Sequence, residues 1–245
     1  MPAALGDVRA EILSPGQAGR VSCIVPAHNM VAYLGQAIDS ALSQTYPDVE
    51  IVVMDDGSTD GTADFVRRNY GDRVVFLGQQ RAGMAAARNR ALRASTGEFV
   101  NLLDADDLWP PHRLATMVGA LTAAPAWAGC VSLWRNFWDD PVLEEDDRAR
   151  CAEMVGVQRE RMLTAALLRR STFQTAGLFD TRYRHSSEKD WWVRVHDSGA
   201  EFGSVEEVLF SRRIHTTNDS RGKVVGNEIL QILLERHRRM RPRHS

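Results

Sequence analysis

The 245-residue sequence is poor in cysteine, with Cys23, Cys130 and Cys151 alone. An odd number without close ligand spacing argues against a disulfide framework and against a thiolate zinc site, so free thiols are expected. Cys23 is expected to pack inside the first strand. No apolar run approaches the roughly 20 residues that a bilayer span requires. The stretch from Met1 to Gly19 has no basic region followed by an apolar one, so it does not read as a leader. A cytoplasmic protein without a membrane span is expected, and no nucleic-acid partner. Internal repeats and long low-complexity tracts are also missing. What remains, 44% hydrophobic residues and a formal net charge of −2, suits one compact domain or two tightly fused halves.

Residues 20–110 alternate short β-branched runs with helical patterns. Val21–Val25, Glu50–Met54, Val74–Leu77 and Phe99–Leu103 read as strands. Between them, Val31, Leu34, Ile38, Ala41 and Leu42 share one helical face, with Asn29 as the expected cap and a stop before Pro47. A second helix is expected to start near Ser58 to Asp60, and a third is the alanine-rich segment from Gly83 to Ala94. Strands alternating with helices predict an α/β fold with a mostly parallel central sheet flanked by helices.

The pattern changes after Asp107, and residues 111–220 read as a smaller region of the same domain. A helix from Pro111 to Ala123 leads to a strand at Gly129–Trp134. The segment from Asp139 to Arg150 holds six acidic residues and one proline and reads as a solvated loop. Met162–Leu168 fits a strand or a buried helix. A short helix over Ser171–Ala176 ends at Gly177, and another runs from Glu188 to Asp197. Residues 1–19 are expected to be flexible. Residues 221–245 carry a last helix, near Asn227–Met240, and a tail with five arginines in its final ten residues. The tail reads as a solvated end, with contact to acidic headgroups or a phosphate-bearing acceptor as the alternative.

Leu103-Asp104-Ala105-Asp106-Asp107 places three carboxylates in four positions directly after an apolar run. Carboxylates at the carboxyl end of a buried strand lie where open α/β sheets bind ligands. Mg²⁺ or Mn²⁺ takes oxygen ligands from one or two carboxylates, water and substrate phosphates, so the cluster points to a metal held against a diphosphate. Asp107 is expected only to cap the helix near Pro110.

Val21-Ser22-Cys23-Ile24-Val25-Pro26-Ala27-His28-Asn29, Met54-Asp55-Asp56-Gly57-Ser58-Thr59-Asp60-Gly61-Thr62, Ala87-Arg88-Asn89, Gly97-Glu98 and Leu103-Asp104-Ala105-Asp106-Asp107 together resemble family 2 glycosyltransferases of the GT-A fold. The resemblance covers about residues 20 to 220 and is strong to Trp109. It implies an inverting hexosyltransferase using a nucleotide-diphospho-sugar, most often a UDP-sugar, and Mn²⁺ or Mg²⁺. By the same resemblance Asp56 contacts the base, Arg88 braces phosphate or carboxylates, Asp106 ligates the metal, and Asp104 with Ala105 faces ribose or metal-bound water.

The residues support those roles on physical grounds. Pro26, Ala27 and Asn29 end a strand, where backbone N–H groups can face a base. Asp55 and Asp56 close the second strand, where a carboxylate can accept the imide N–H of uracil or a ribose hydroxyl. Gly57 permits the turn and Ser58 is expected to cap the helix. Arg88 sits among small alanines that allow close approach, and its guanidinium suits a phosphate. Asn89 is a weaker binding candidate.

The second half must supply the base. Members of the family carry a Glu-Asp pair at a helix start, and Ser186-Ser187-Glu188-Lys189-Asp190-Trp191-Trp192-Val193-Arg194 departs from it. Counting back from Arg194 places Ser187 at the usual glutamate and Glu188 at the usual aspartate. Glu188 is therefore the expected base and Asp190 the reserve. Of Trp191 and Trp192, adjacent on a helix, one is expected in the core and one against a sugar. Arg212, Arg213 and His215 resemble the family's late basic strand and loop, where a histidine completes the metal site or touches the diphosphate; as a nitrogen ligand His215 would favour Mn²⁺.

A Gln-x-x-Arg-Trp motif and membrane helices, found in processive members, are absent from the sequence. Transfer of one sugar to an acceptor hydroxyl of unknown chemistry is expected. Two alternatives stay open: a nucleotide-sugar-binding protein with an impaired site, and a sugar nucleotidyltransferase. The latter is disfavoured because Val21–Asn29 contains no glycine for a triphosphate loop.

Overall fold

The computed structural model describes residues 13–14, 16–139, 144–145, 156–215 and 226–240. Its framework is one eight-stranded sheet in the order β3-β2-β1-β4-β7-β5-β6, with β8 on the other edge of β5. β1 (Gln17–Ala27), β2 (Val49–Asp55), β3 (Val75–Gly78) and β4 (Gly97–Leu102) are mutually parallel. Val21, Cys23, Ile24 and Val25 are buried in β1, as a continuous apolar run between two parallel neighbours must be. β1 begins within the segment expected to be flexible, because Gln17 N–H donates to Thr96 O at 2.6 Å and extends the pairing toward β4.

α1 (Leu34–Leu42) buries Leu34, Ala37, Ile38 and Ala41 at helical spacing. Asn29 does not cap it. Asn29 adopts a left-handed φ of 55°, its Oδ1 accepts from Thr59 N–H at 2.8 Å, and its own N–H donates to Ser58 Oγ at 2.9 Å. Ser58 likewise does not cap α2 (Thr62–Asn69), whose N-cap is Gly61. Both expected caps serve instead to tie the loops after β1 and β2 together, since parallel pairing brings those strand ends side by side. α3 (Met84–Ala94) follows Gly83, and the sharp entry requires its φ of 94°.

The second half extends the same sheet. α4 (Arg113–Ala123) starts later than expected and without Asp107, which is buried elsewhere. β5 (Gly129–Trp138) pairs antiparallel with β7 (Ala166–Arg169) at its start and with β6 (Val157–Gln158) further on, while β8 (Phe202–Ile214) runs parallel along its other edge. β7 joins β4 antiparallel and closes the sheet. α5 (Arg170–Ala176) stops at Gly177, and α6 (Ser187–Asp197) and α7 (Gly226–Met240) complete the order. Of the acidic loop expected over 139–150, all but Asp139, Glu144 and Glu145 lies outside the described residues, as do 216–225 and 241–245.

Arg113 fastens the two halves. It is 0% exposed and donates to Asn101 Oδ1 of β4, Ser132 Oγ of β5, Leu209 O of β8 and Thr164 O, at 2.8–3.2 Å. Burial disfavours its charge, and these oxygens with the faces of Trp109 and Phe210 compensate for the lost water. Arg113→Met should therefore lower unfolding free energy by about 3 kcal/mol, because several buried acceptors lose their donor. Urea denaturation checks it; a loss under about 1 kcal/mol would show that the fold does not lean on this residue.

Candidate active site

The carboxyl ends of β1, β2 and β4 open into a cavity of about 880 Å³. Pro26, Ala27, Asn29, Asp56, Asp104, Ala105 and Asp106, all expected at the site from sequence, line it. A ligand at this end of a parallel sheet matches the general rule for open α/β folds. Thr181, Tyr183, Arg184 and His185, which carry no motif, line the cavity as well.

Asp56 is buried, and both carboxylate oxygens are occupied. Oδ1 accepts from Gln79 Nε2 at 2.7 Å and from Ala82 N–H at 2.8 Å, and Oδ2 from Gly83 N–H at 2.8 Å. This fixes the loop that enters α3. His28 Nδ1 lies 2.9 Å from Asp56 O, and its Nε2 contacts Arg81. Asp55 turns away, accepting Ser58 N–H at 3.1 Å.

Each carboxylate after β4 has its own partner. Arg88 Nη2 donates to Asp104 Oδ1 at 3.0 Å, and His215 Nε2 lies 2.9 Å from Asp106 Oδ2. Asp107 Oδ1 accepts the backbone N–H of Arg213 at 2.8 Å, so it ties the cluster to β8 and caps no helix. Alternation along β8 sends Arg212 to the cavity and Arg213 inward. There the Arg213 guanidinium donates to Asp106 O at 2.8 Å and Gln36 Oε1 at 2.7 Å, pairs with Asp139, and lies over Tyr33 and Phe137. Burial, then the charge of Asp104, pushes the Asp106 carboxyl above its usual range, with His215 opposing; burial and both neighbouring aspartates push Asp107 further.

No group of three or more His, Cys, Asp and Glu side chains able to hold a metal ion occurs among the described residues. Asp106 and His215 are brought together, whereas Asp104 is engaged by Arg88.

Arg88 links carboxylates from the two halves of the chain. Besides Asp104 it reaches Glu188 Oε2 at 3.7 Å, and its buried Nε has no acceptor. Glu188, half-buried in the first turn of α6, also accepts Leu163 N–H at 2.9 Å. Glu188, Arg88 and His215 all lie outside the cavity lining, and Glu188 connects to it only through the pair that Arg88 makes with Asp104. Burial raises the Glu188 carboxyl, and Arg88 pulls it back down. Asp190 is placed differently. It is 2% exposed and paired with Arg194 at 2.9 Å, within the packing of α6 on α5.

Trp191 is the core tryptophan, stacked among Phe173 and Phe179, while Trp192 packs on Phe202 rather than facing the cavity. Asn89 binds no ligand position either: it donates to Phe179 O at 2.7 Å and accepts Phe179 N–H at 2.9 Å.

The sequence model described as "Glycosyl transferase family 2" matches residues 22–179. The chain belongs to that family. Family relatives include an uncharacterised glycosyltransferase of Rickettsia typhi, 28% identical over 224 residues, covering 86% of this chain and 70% of the relative. A chondroitin synthase of Escherichia coli is 27% identical over 213 residues, 82% of this chain but 30% of the synthase. Among solved structures, S. aureus TarS in complex with UDP-GlcNAc superposes with a TM-score of 0.71 at 17% identity, covering 87% of this chain and 64% of TarS 1-349. A mannosyltransferase of Pyrobaculum calidifontis, in complex with GDP-Man and Mn²⁺, gives 0.63 at 26% identity, covering 84% and 61%. The fold is therefore GT-A, and this chain spans under two thirds of those two solved chains.

Sequence reasoning missed Arg81, Tyr183, Arg184 and His185. Only the run of polar residues just before Ser187 could have drawn attention to the last two. It also left Asn89 open as a ligand group. Asn89→Ala should cost about 2 kcal/mol of stability, for two lost buried hydrogen bonds, and leave the nucleotide affinity of the folded protein unchanged. Thermal unfolding beside nucleotide titration checks this; weaker binding at unaltered stability would give Asn89 a ligand role instead.

Proposed function

We propose that the protein is an inverting, metal-dependent, non-processive glycosyltransferase that moves one sugar from a UDP-sugar to an acceptor hydroxyl. The observation that carries this is Arg88, which joins Asp104 on the donor side to Glu188 on the other. The donor reading is supported by the solved relatives in complex with UDP-GlcNAc and with GDP-Man and Mn²⁺.

Asp106 and His215 suit a divalent cation. They offer one oxygen and one nitrogen donor 2.9 Å apart, and a cation there would favour the ionised form of Asp106, which burial and then the charge of Asp104 disfavour. Two protein ligands leave room for water and diphosphate oxygens. A cation bound there supplies Lewis-acid stabilisation of the departing diphosphate. Arg88 keeps Asp104 oriented toward ribose, and the Asp56 network holds the loop that borders the base. Glu188 takes the proton of the acceptor hydroxyl as that oxygen bonds to the anomeric carbon from the face opposite the diphosphate. The bond from the anomeric carbon to the diphosphate oxygen breaks, and configuration inverts.

Glu188→Gln should lower sugar transfer by roughly 10²-fold or more with nucleotide affinity retained, and Asp106→Asn should lower transfer and Mn²⁺ dependence together. Asp190→Asn should act on stability. Release of nucleotide diphosphate with Mn²⁺ and a panel of nucleotide-sugars measures this; full activity in Glu188→Gln, or loss confined to Asp190→Asn, would overturn the base assignment. Transfer should also respond to pH. A general base works deprotonated, so the rate should rise with pH along a limb above the ordinary glutamate range, because burial raises Glu188. Arg88→Gln removes the opposing charge and should move that limb to higher pH; an unmoved limb would remove Glu188 from the account.

A further inference from the structure

The stretch of the cavity lining from Thr181 to His185 is held in place by other elements, although no motif marks it. Asp180 and Glu235 hold Arg182 between them, with contacts of 2.6 and 3.2 Å. Glu228, from the first turn of α7, accepts the backbone N–H groups of both Arg184, at 3.0 Å, and His185, at 3.1 Å. Helix α7 thus sets the backbone of two consecutive basic residues, whose side chains are exposed and line the cavity. The Arg184 guanidinium has no hydrogen bond or ion pair among the described residues. The same lining holds Asp56, Asp104, Asp106 and Asp107, with Arg81 and Arg212 among them.

We infer that Arg184 and His185 bind a phosphate group carried by the acceptor, with Glu228 as the residue that positions them. The inference rests on the donor site proposed above. Two features assign the pair to the acceptor. The diphosphate of the donor belongs beside Asp106 and His215, and the loop that carries Arg184 and His185 runs directly into α6, where Glu188 stands three residues after His185. An acceptor anchored by its phosphate on this loop presents a hydroxyl toward Glu188. A guanidinium fork beside an imidazole offers several donors to phosphate oxygens, and a charge-assisted set of this kind discriminates phosphate from a neutral acceptor.

The test titrates inorganic phosphate, with acetate in parallel, into the full chain saturated with Mn²⁺ and UDP or GDP, by calorimetry. Wild type should bind phosphate and bind acetate more weakly. Arg184→Ala should weaken phosphate by roughly tenfold or more, and Arg184→Lys by less, since it keeps the charge without the fork. Glu228→Gln should weaken phosphate as well, and nucleotide affinity should hold in all three variants. Absence of phosphate binding, equal binding by Arg184→Ala, or acetate bound as well as phosphate would overturn the inference. So would a parallel loss of nucleotide affinity in Arg184→Ala, which would place the pair on the donor. If wild type binds neither nucleotide, the donor reading fails, and the same titration without nucleotide still decides whether the pair holds phosphate.

Discussion

Three carboxylates in four residues at the end of a buried strand repel one another, and the site exists because distant elements supply their partners. Asp104 takes Arg88 from α3, Asp106 takes His215 from beyond β8, and Asp107 takes the backbone of Arg213. The loop after β4 is therefore positioned by charge and hydrogen bonding from both sides of the chain. β8 could not end elsewhere without stranding Asp107, and a buried carboxylate without a donor is costly. Within this arrangement, burial and then the charge of Asp104 raise the Asp106 carboxyl, with His215 opposing.

Arg88 turns this local balance into a connection between halves. Its guanidinium lies between Asp104 and Glu188, so one carboxylate from each half of the chain shares the same cationic side chain. Arg113 performs the equivalent service in the core, where neutral oxygens from three strands surround one buried charge. Both arginines explain why the second half builds onto the existing sheet: β7 and β5 dock where Arg113 finds acceptors, and α6 starts where Arg88 can reach it.

Much of the first half was legible because parallel strands leave continuous apolar runs and their ends carry recognisable polar residues. Pro26, Ala27, Asn29, Asp56, Asp104, Ala105 and Asp106 all line the cavity. The errors there share one cause. Asn29, Ser58 and Asp107 are good capping residues by local chemistry, but each found a partner across the sheet, information that local sequence does not contain. In the second half, Asp190 and Arg194 are spaced as an i, i+4 helical pair, a signal that already favoured a structural role over a reserve base. Arg184 and His185 were illegible because what singles them out, Glu228, lies more than forty positions away.

The central claim is that the carboxylate loop and the end of β8 together form a cation site that holds the donor diphosphate. Anomalous diffraction at the manganese edge from crystals grown with Mn²⁺ and UDP or GDP tests it most directly. The account predicts one peak bonded to Asp106 and His215 and to a diphosphate oxygen, with Arg88 still on Asp104. A bound nucleotide with no peak there, and with His215 still on Asp106, would contradict it.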